Sequence, residues 1–135
     1  MIQLLKEYAN YYNIVLDMNK KDKEGDYSFL LAVEHNNKDI LQLMITYVIN
    51  NNSILNCNYR NEDGNYPLLI AVLKNNLEMV TLIYEYAINY EIQLEIREQD
   101  IINSIKKILS YTIKNVSDIN IDIINIVSTN CKIYN

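Results

Sequence analysis

The sequence predicts an all-α chain, a solenoid of helix-turn-helix units whose antiparallel helix pairs stack side by side. Three observations carry this. Gly25 and Gly64, the only glycines, lie 39 residues apart, and the same offset pairs Tyr27 with Tyr66, Leu30 with Leu69, Ala32-Val33 with Ala71-Val72, Asn36-Asn37 with Asn75-Asn76, Leu43 with Leu82, Tyr47 with Tyr86 and Leu55 with Leu94. Apolar residues between these marks recur at three- and four-residue spacing, the period of a helix with one buried face. The segments between them are rich in Asn and Asp, with the Gly and the single Pro placed as helix punctuation. One offset held without a gap marks an internal repeat, and repeated units of this length stack because none can bury its apolar face alone.

Residues 1 to 13 read as a helix with a stripe of Ile2, Leu4, Leu5, Tyr8, Ala9 and Tyr12. The offset maps Leu4 onto Leu43 and Leu82, and Tyr8 onto Tyr47 and Tyr86, so the chain is expected to open in the second half of a repeat. Asp22 and Gly25 then suit a tight turn, since Asp bonds its own downstream backbone and Gly accepts positive φ. Ser28 to Asn36 reads as a short helix with Phe29, Leu30, Ala32 and Val33 inward. Asn36-Asn37 reverses the chain, because Asn tolerates the left-handed conformation. Lys38 to Asn51 reads as a longer helix with Ile40, Leu41, Leu43, Met44, Tyr47 and Val48 buried. The second copy repeats the turn over Asn58 to Asn65. Pro67 stands where a first helical residue belongs, its φ preset and its missing N–H unneeded. The pair Pro67 to Asn75 and Leu77 to Tyr90 follows. Ala32 and Ala71, at one repeat position, supply the small side chain that close stacking requires. Tyr47 and Tyr86 read as core rings with exposed hydroxyls.

The third copy departs from the pattern. Glu98 to Lys114 reads as one longer amphipathic helix, with Ile101, Ile102, Ile105, Ile108, Leu109 and Ile113. Ser117-Asp118 reads as the cap of a last helix carrying Ile121, Ile123, Ile124, Ile126 and Val127. This end is more apolar than a terminal unit facing water requires, which points to further sequence or to self-association through the array ends.

Asn61-Glu62-Asp63-Gly64-Asn65-Tyr66-Pro67-Leu68, then Ala71, then Asn75-Asn76 and Leu77-Glu78-Met79-Val80-Thr81-Leu82-Ile83, resembles the ankyrin repeat. That pattern runs Asp-x-x-Gly-x-Thr-Pro-Leu-x-x-Ala, a two-residue break, and Leu-Glu-x-Val-x-x-Leu-Leu. The first copy keeps Asp22, Gly25, Ala32, Ile40 and Leu43 and has Tyr27-Ser28-Phe29 for Thr-Pro-Leu. The period of 39 exceeds the usual ankyrin period of about 33, the extra residues falling in 12–18, 51–57 and 90–96. The resemblance covers residues 1 to 97. It implies one ankyrin-like domain over 1–135: a half repeat over 1–18, repeats over 19–57 and 58–96, and a divergent helix pair over 97–135.

The resemblance also implies function: a non-catalytic protein-protein interaction module that binds an unidentified protein through turn tips and inner helices. Carried over position by position, that surface is Lys23, Glu24, Asp26, Glu34 and His35 in the first copy. In the second it is Glu62, Asp63, Asn65, Leu73 and Lys74. Leu73 is the first candidate, as an apolar residue expected to stand exposed at a contact position. Side chains repeated on a rigid scaffold are pre-organised and lose little entropy on binding. The alternative is a structural segment of a larger multi-repeat protein whose activity lies outside this chain. A helical enzyme of a new type is a third reading, with little in the sequence to support it.

Of 135 residues, 50% are hydrophobic and 21% charged, the composition of a folded chain. A net charge of −5 disfavours nucleic acid and anionic membrane as partners, since both call for a basic surface. No window reaches the ~20 apolar residues of a membrane span, and the first residues lack the pattern of a signal peptide. Cys57 and Cys131 are expected as free thiols, so an intracellular, cytoplasmic setting is expected. His35 is the only histidine and has no carboxylate or Cys at ligand spacing, so no metal site, cofactor or catalytic residue is expected. No phosphate-cradling, zinc-protease or nucleophile-elbow motif is present in the sequence.

Overall fold

A computed structural model describes residues 2–11, 15–111 and 120–134. The elements run α1 (Ile2–Tyr11), α2 (Ser28–Glu34), α3 (Lys38–Asn50), α4 (Pro67–Leu73), α5 (Leu77–Asn89), β1 (Glu95–Arg97), α6 (Glu98–Tyr111), α7 (Ile121–Asn130) and β2 (Lys132–Tyr134). The helical fold class expected from the repeat is the one observed.

The repeat offset is visible in the backbone. Tyr27 and Tyr66 precede α2 and α4 in the same extended conformation, with φ −143° at both, and Pro67 opens α4. Gly25 and Gly64 hold φ +79° and +80° in the preceding turns. The helices α2, α3, α4 and α5 each end by one motif. A left-handed residue follows the cap: Asn36, Asn52, Asn75 and Glu91, with φ between 51° and 56°. Its N–H and the next one turn back onto the last helical turn, as in Asn36 N to Val33 O at 3.0 Å and Asn37 N to Ala32 O at 2.9 Å. These bonds satisfy carbonyls that a helix end otherwise leaves open. Asn37 and Asn76 then cap the following helix, their side chains accepting from the N–H of Ile40 and Met79. Each Asn-Asn pair therefore closes one helix and opens the next.

Inner helices stack in one layer, α2 on α4 and α4 on α6. Ala32 and Ala71 are buried in that layer. Outer helices α3 and α5 pack on α2 and α4, and α7 packs on α5. Phe29, Leu30, Val33, Leu41, Leu68, Val80 and Ile83 make the middle of the core.

The lengthened segments are tied across repeats by side chains. Tyr47 Oη accepts the N–H of Leu16 at 2.9 Å, and 39 residues on Tyr86 Oη accepts that of Leu55 at 2.8 Å. Asn19 Nδ2 donates to Ile54 O while its Oδ1 accepts from Asn56 N. Asn58 repeats this with Gln93 O and Glu95 N. At the far end β1 and β2 form a short parallel pair, with Ile96 opposite Ile133.

Several expectations are corrected. The Tyr47 and Tyr86 hydroxyls are not exposed handles but acceptors for the neighbouring segment. Leu43 stands exposed on α3 and outside the core, since Leu41, Met44, Tyr47 and Val48 already fill the buried face. On α1 the described members of the expected stripe are exposed rather than buried: Leu5 is 49% and Tyr8 58% exposed, whereas their equivalents Met44 and Tyr47 are 1% and 2%. No inner helix covers α1 among the described residues, as α2 covers α3. The last helix is capped by Asn120, whose side chain accepts from Asp122 N. Ser117-Asp118, Tyr12 and the expected helix end near Lys114 lie outside the described residues. The side chains of Ile105, Ile108 and Leu109 lie outside them too.

Candidate partner-binding face

The first tip is built on Asp22. Its carboxylate accepts the N–H of Glu24 at 3.0 Å and of Asp26 at 2.9 Å, while its carbonyl accepts that of Gly25. Asn61 holds the second tip in the same way, its Oδ1 accepting from Asn65 N at 2.9 Å. The two tips are locked together. Asn61 Nδ2 donates to Asp26 Oδ1 at 2.8 Å and Glu62 N donates to Glu24 O at 3.0 Å.

This fixes the expected site residues. Lys23, Glu24, Glu62 and Asp63 project from the tips and are exposed. His35 and Lys74 are exposed at equivalent helix ends, their N–H groups bonded to Leu31 O and Ile70 O. Glu34 is half-buried. Asp26 is half-buried and its carboxylate joins the tips, so part of its capacity is already used. Leu73 is half-buried against the core rather than exposed. It faces a hollow that Asp63 and Asn65 also line.

That hollow lies between the second tip, α4 and α6, and has a volume of about 310 Å³. The chain's only two arginines, Arg60 and Arg97, line it together with Leu69 and Asp100. Arg60 stacks over the Tyr66 ring at 4.3 Å and pairs with Asp100 at 3.6 Å. Tyr66, in the Thr position of the repeat pattern, donates its hydroxyl to Asp100 Oδ2 at 3.0 Å. Burial, and next the Asp100 carboxylate, push its phenol above the ordinary range. Tyr27 reaches across in the same sense, its hydroxyl set between Asn56 O at 3.0 Å and Tyr59 O, in the next repeat, at 3.2 Å. A long phenol thus does what a short hydroxyl could not, joining one helix start to the next repeat. Sequence reasoning missed Arg60, Arg97 and Asp100. The signal available was two arginines in a chain otherwise supplied with lysine, each in a segment joining two repeats.

Stacked inner helices, paired tips and a fixed offset decide the relationship, and the profile of a known family, Ankyrin repeats (3 copies), matches residues 1–94. The chain belongs to the ankyrin repeat family. No curated protein and no solved structure gives a significant match. Ankyrin repeats are generally protein-protein interaction modules and typically non-catalytic scaffolds. In this ankyrin array no helix among the described residues is long and apolar enough to cross a membrane. No group of three His, Cys, Asp or Glu among them could hold a metal ion. Cys57 is buried and Cys131 half-buried, both as free thiols.

Proposed function

We propose that this chain is a non-catalytic interaction module that binds a protein partner through its tips and inner helices. The observation that carries this is how the tips are built. Asp22, Asn61, Asp26 and the Glu24–Glu62 backbone bond consume the internal hydrogen-bonding capacity. Lys23, Glu24, Glu62 and Asp63 are left outward on a frame that is already rigid. Pre-ordered side chains of this kind favour recognition of a folded or extended protein surface. The two free thiols support a reducing, intracellular setting for it. The test is a pull-down from the source cell's lysate with wild type beside a Glu34→Arg, His35→Ala, Glu62→Arg, Lys74→Glu variant, both shown helical by circular dichroism. A protein held by the wild type and lost from the variant supports the reading, and identical profiles contradict it.

A second reading has its own observation. The bare face of α1, with Leu4 at 69% and Leu5 at 49% exposure, fits a segment packed against a neighbouring repeat or a second copy of the chain. Sedimentation of wild type beside a Leu5→Glu, Tyr8→Glu variant tests association. A monomer at all concentrations for both removes the second copy as the occupant.

A further inference from the structure

We propose that the hollow between α4 and α6 anchors a carboxylate of the partner, with Arg97 pairing the carboxylate and Leu69 and Leu73 seating the aliphatic part of the residue that carries it. This rests on the reading of the tips and inner helices as the binding face.

The two arginines of the hollow are in different states. Arg60 is committed: it stacks on Tyr66, pairs with Asp100 and reaches Gly64 O at 3.5 Å. Asp100 is committed in turn, to Arg60 and to the Tyr66 hydroxyl. Arg97 sits on β1, is exposed, lines the same hollow and has no ion pair with any described residue. A guanidinium presents a planar fork of donors that matches a carboxylate in two parallel bonds. Leu69 and Leu73 supply the apolar side chains of the same lining, which is otherwise polar. A volume of about 310 Å³ is at the low end for a small-molecule pocket and suits one inserted side chain.

Charge narrows the ligand further. Asp63 and Asp100 also line the hollow. A phosphate dianion would meet both carboxylates and be repelled, whereas a monoanionic carboxylate directed at Arg97 is tolerated. The chain carries −5 overall, so a run of acidic residues is disfavoured at long range and a single carboxylate is the fit. The carboxylate can come from an Asp or Glu side chain or from a chain terminus.

The experiment is selection of displayed random short peptides on the folded wild-type chain. Affinities of the winners, synthesised with free and with amidated C-termini, are then measured on wild type, Arg97→Glu, Arg97→Lys and Lys74→Glu. The expected winners carry Asp or Glu, or a free terminal carboxylate, beside an aliphatic residue. Their affinity falls about tenfold or more on Arg97→Glu and less on Arg97→Lys. Amidation abolishes binding only where the terminus is the anchor. Exchange of the peptide acid for Lys restores binding to Arg97→Glu. Winners that bind Arg97→Glu as well as wild type but lose affinity on Lys74→Glu overturn the anchor and leave the binding face standing. Absence of any enriched peptide on the folded chain overturns both.

Discussion

The hydroxyl of Tyr86 accepts the backbone N–H of Leu55 at 2.8 Å, 31 residues away in sequence and one repeat away in space. Tyr47 makes the equivalent bond to Leu16. These bonds fasten the residues by which this repeat exceeds the ordinary ankyrin length. Leu55 is fully buried, so its N–H has no water to turn to if the phenol is removed. Tyr86→Phe is expected to cost about 1–3 kcal/mol in urea unfolding. Tyr47→Phe is expected to cost less, because Leu16 is only partly buried. Equal stability of Tyr86→Phe and wild type would show that the bond is dispensable.

The two glycines have different reasons to be glycine. Both hold positive φ, but a Cβ on Gly25 would come within 3.0 Å of Asn61 Cα, where backbone must shift, while one on Gly64 meets nothing within 4 Å. Gly64→Ala should cost only the conformational penalty of about 1–2 kcal/mol. Gly25→Ala should cost more, because it forces apart the tip-to-tip contact. Thermal melts of the two variants check the order, and a more damaging Gly64→Ala would contradict it.

Glu91 holds φ 55° where the preceding repeat uses Asn52 at φ 52°. Asn tolerates that conformation better than Glu does. Glu91→Asn is therefore expected to stabilise by about 0.5–1 kcal/mol, and Asn52→Glu to destabilise by a similar amount. Denaturation midpoints with unchanged slopes would report this directly.

Burial pushes the Cys57 thiol up to about 12 and Cys131 up to about 11. An unfolded thiol titrates near ~8.5. The fold keeps the proton that the unfolded chain gives up. Stability from the neutral Cys57 thiol is thus complete below pH ~8.5 and is lost as pH rises toward its folded value, at about 1.4 kcal/mol per pH unit, and the partly exposed Cys131 adds a smaller fall of the same sign because water screens it. Urea unfolding between pH 7 and pH 10 should show this fall, and Cys57→Val should make it shallower. A pH-independent midpoint would show that the thiol is not sequestered.

Much of this fold was legible because the repeat writes its rules in local chemistry. Gly25 and Gly64 marked positive φ, Pro67 marked a helix start, and the Asn pairs marked reversals; each is a backbone constraint that sequence carries on its face. What was not legible depends on pairs distant in sequence. The Tyr86–Leu55 bond joins a helix residue to a segment with no signature of its own. The β1–β2 pair brings Ile96 beside Ile133 through three residues a side, too few to read as strands. Leu73 was expected exposed because the resemblance carries it over as a contact position of the inner helix. α6 stacks on α4 and half-covers it. The hollow escaped notice for the same reason, since Arg97, Asp100 and Leu73 come from three elements.

The most direct test of the binding face is photo-crosslinking in the source cell with a photoreactive phenylalanine placed one position at a time. Glu62 at a tip and His35 at an inner helix end are compared with Gln42 and Glu85, exposed on the outer helices. The account predicts one discrete crosslinked protein from Glu62 and His35 and none from Gln42 and Glu85. The same product from all four positions, or a product from the outer helices alone, would contradict it.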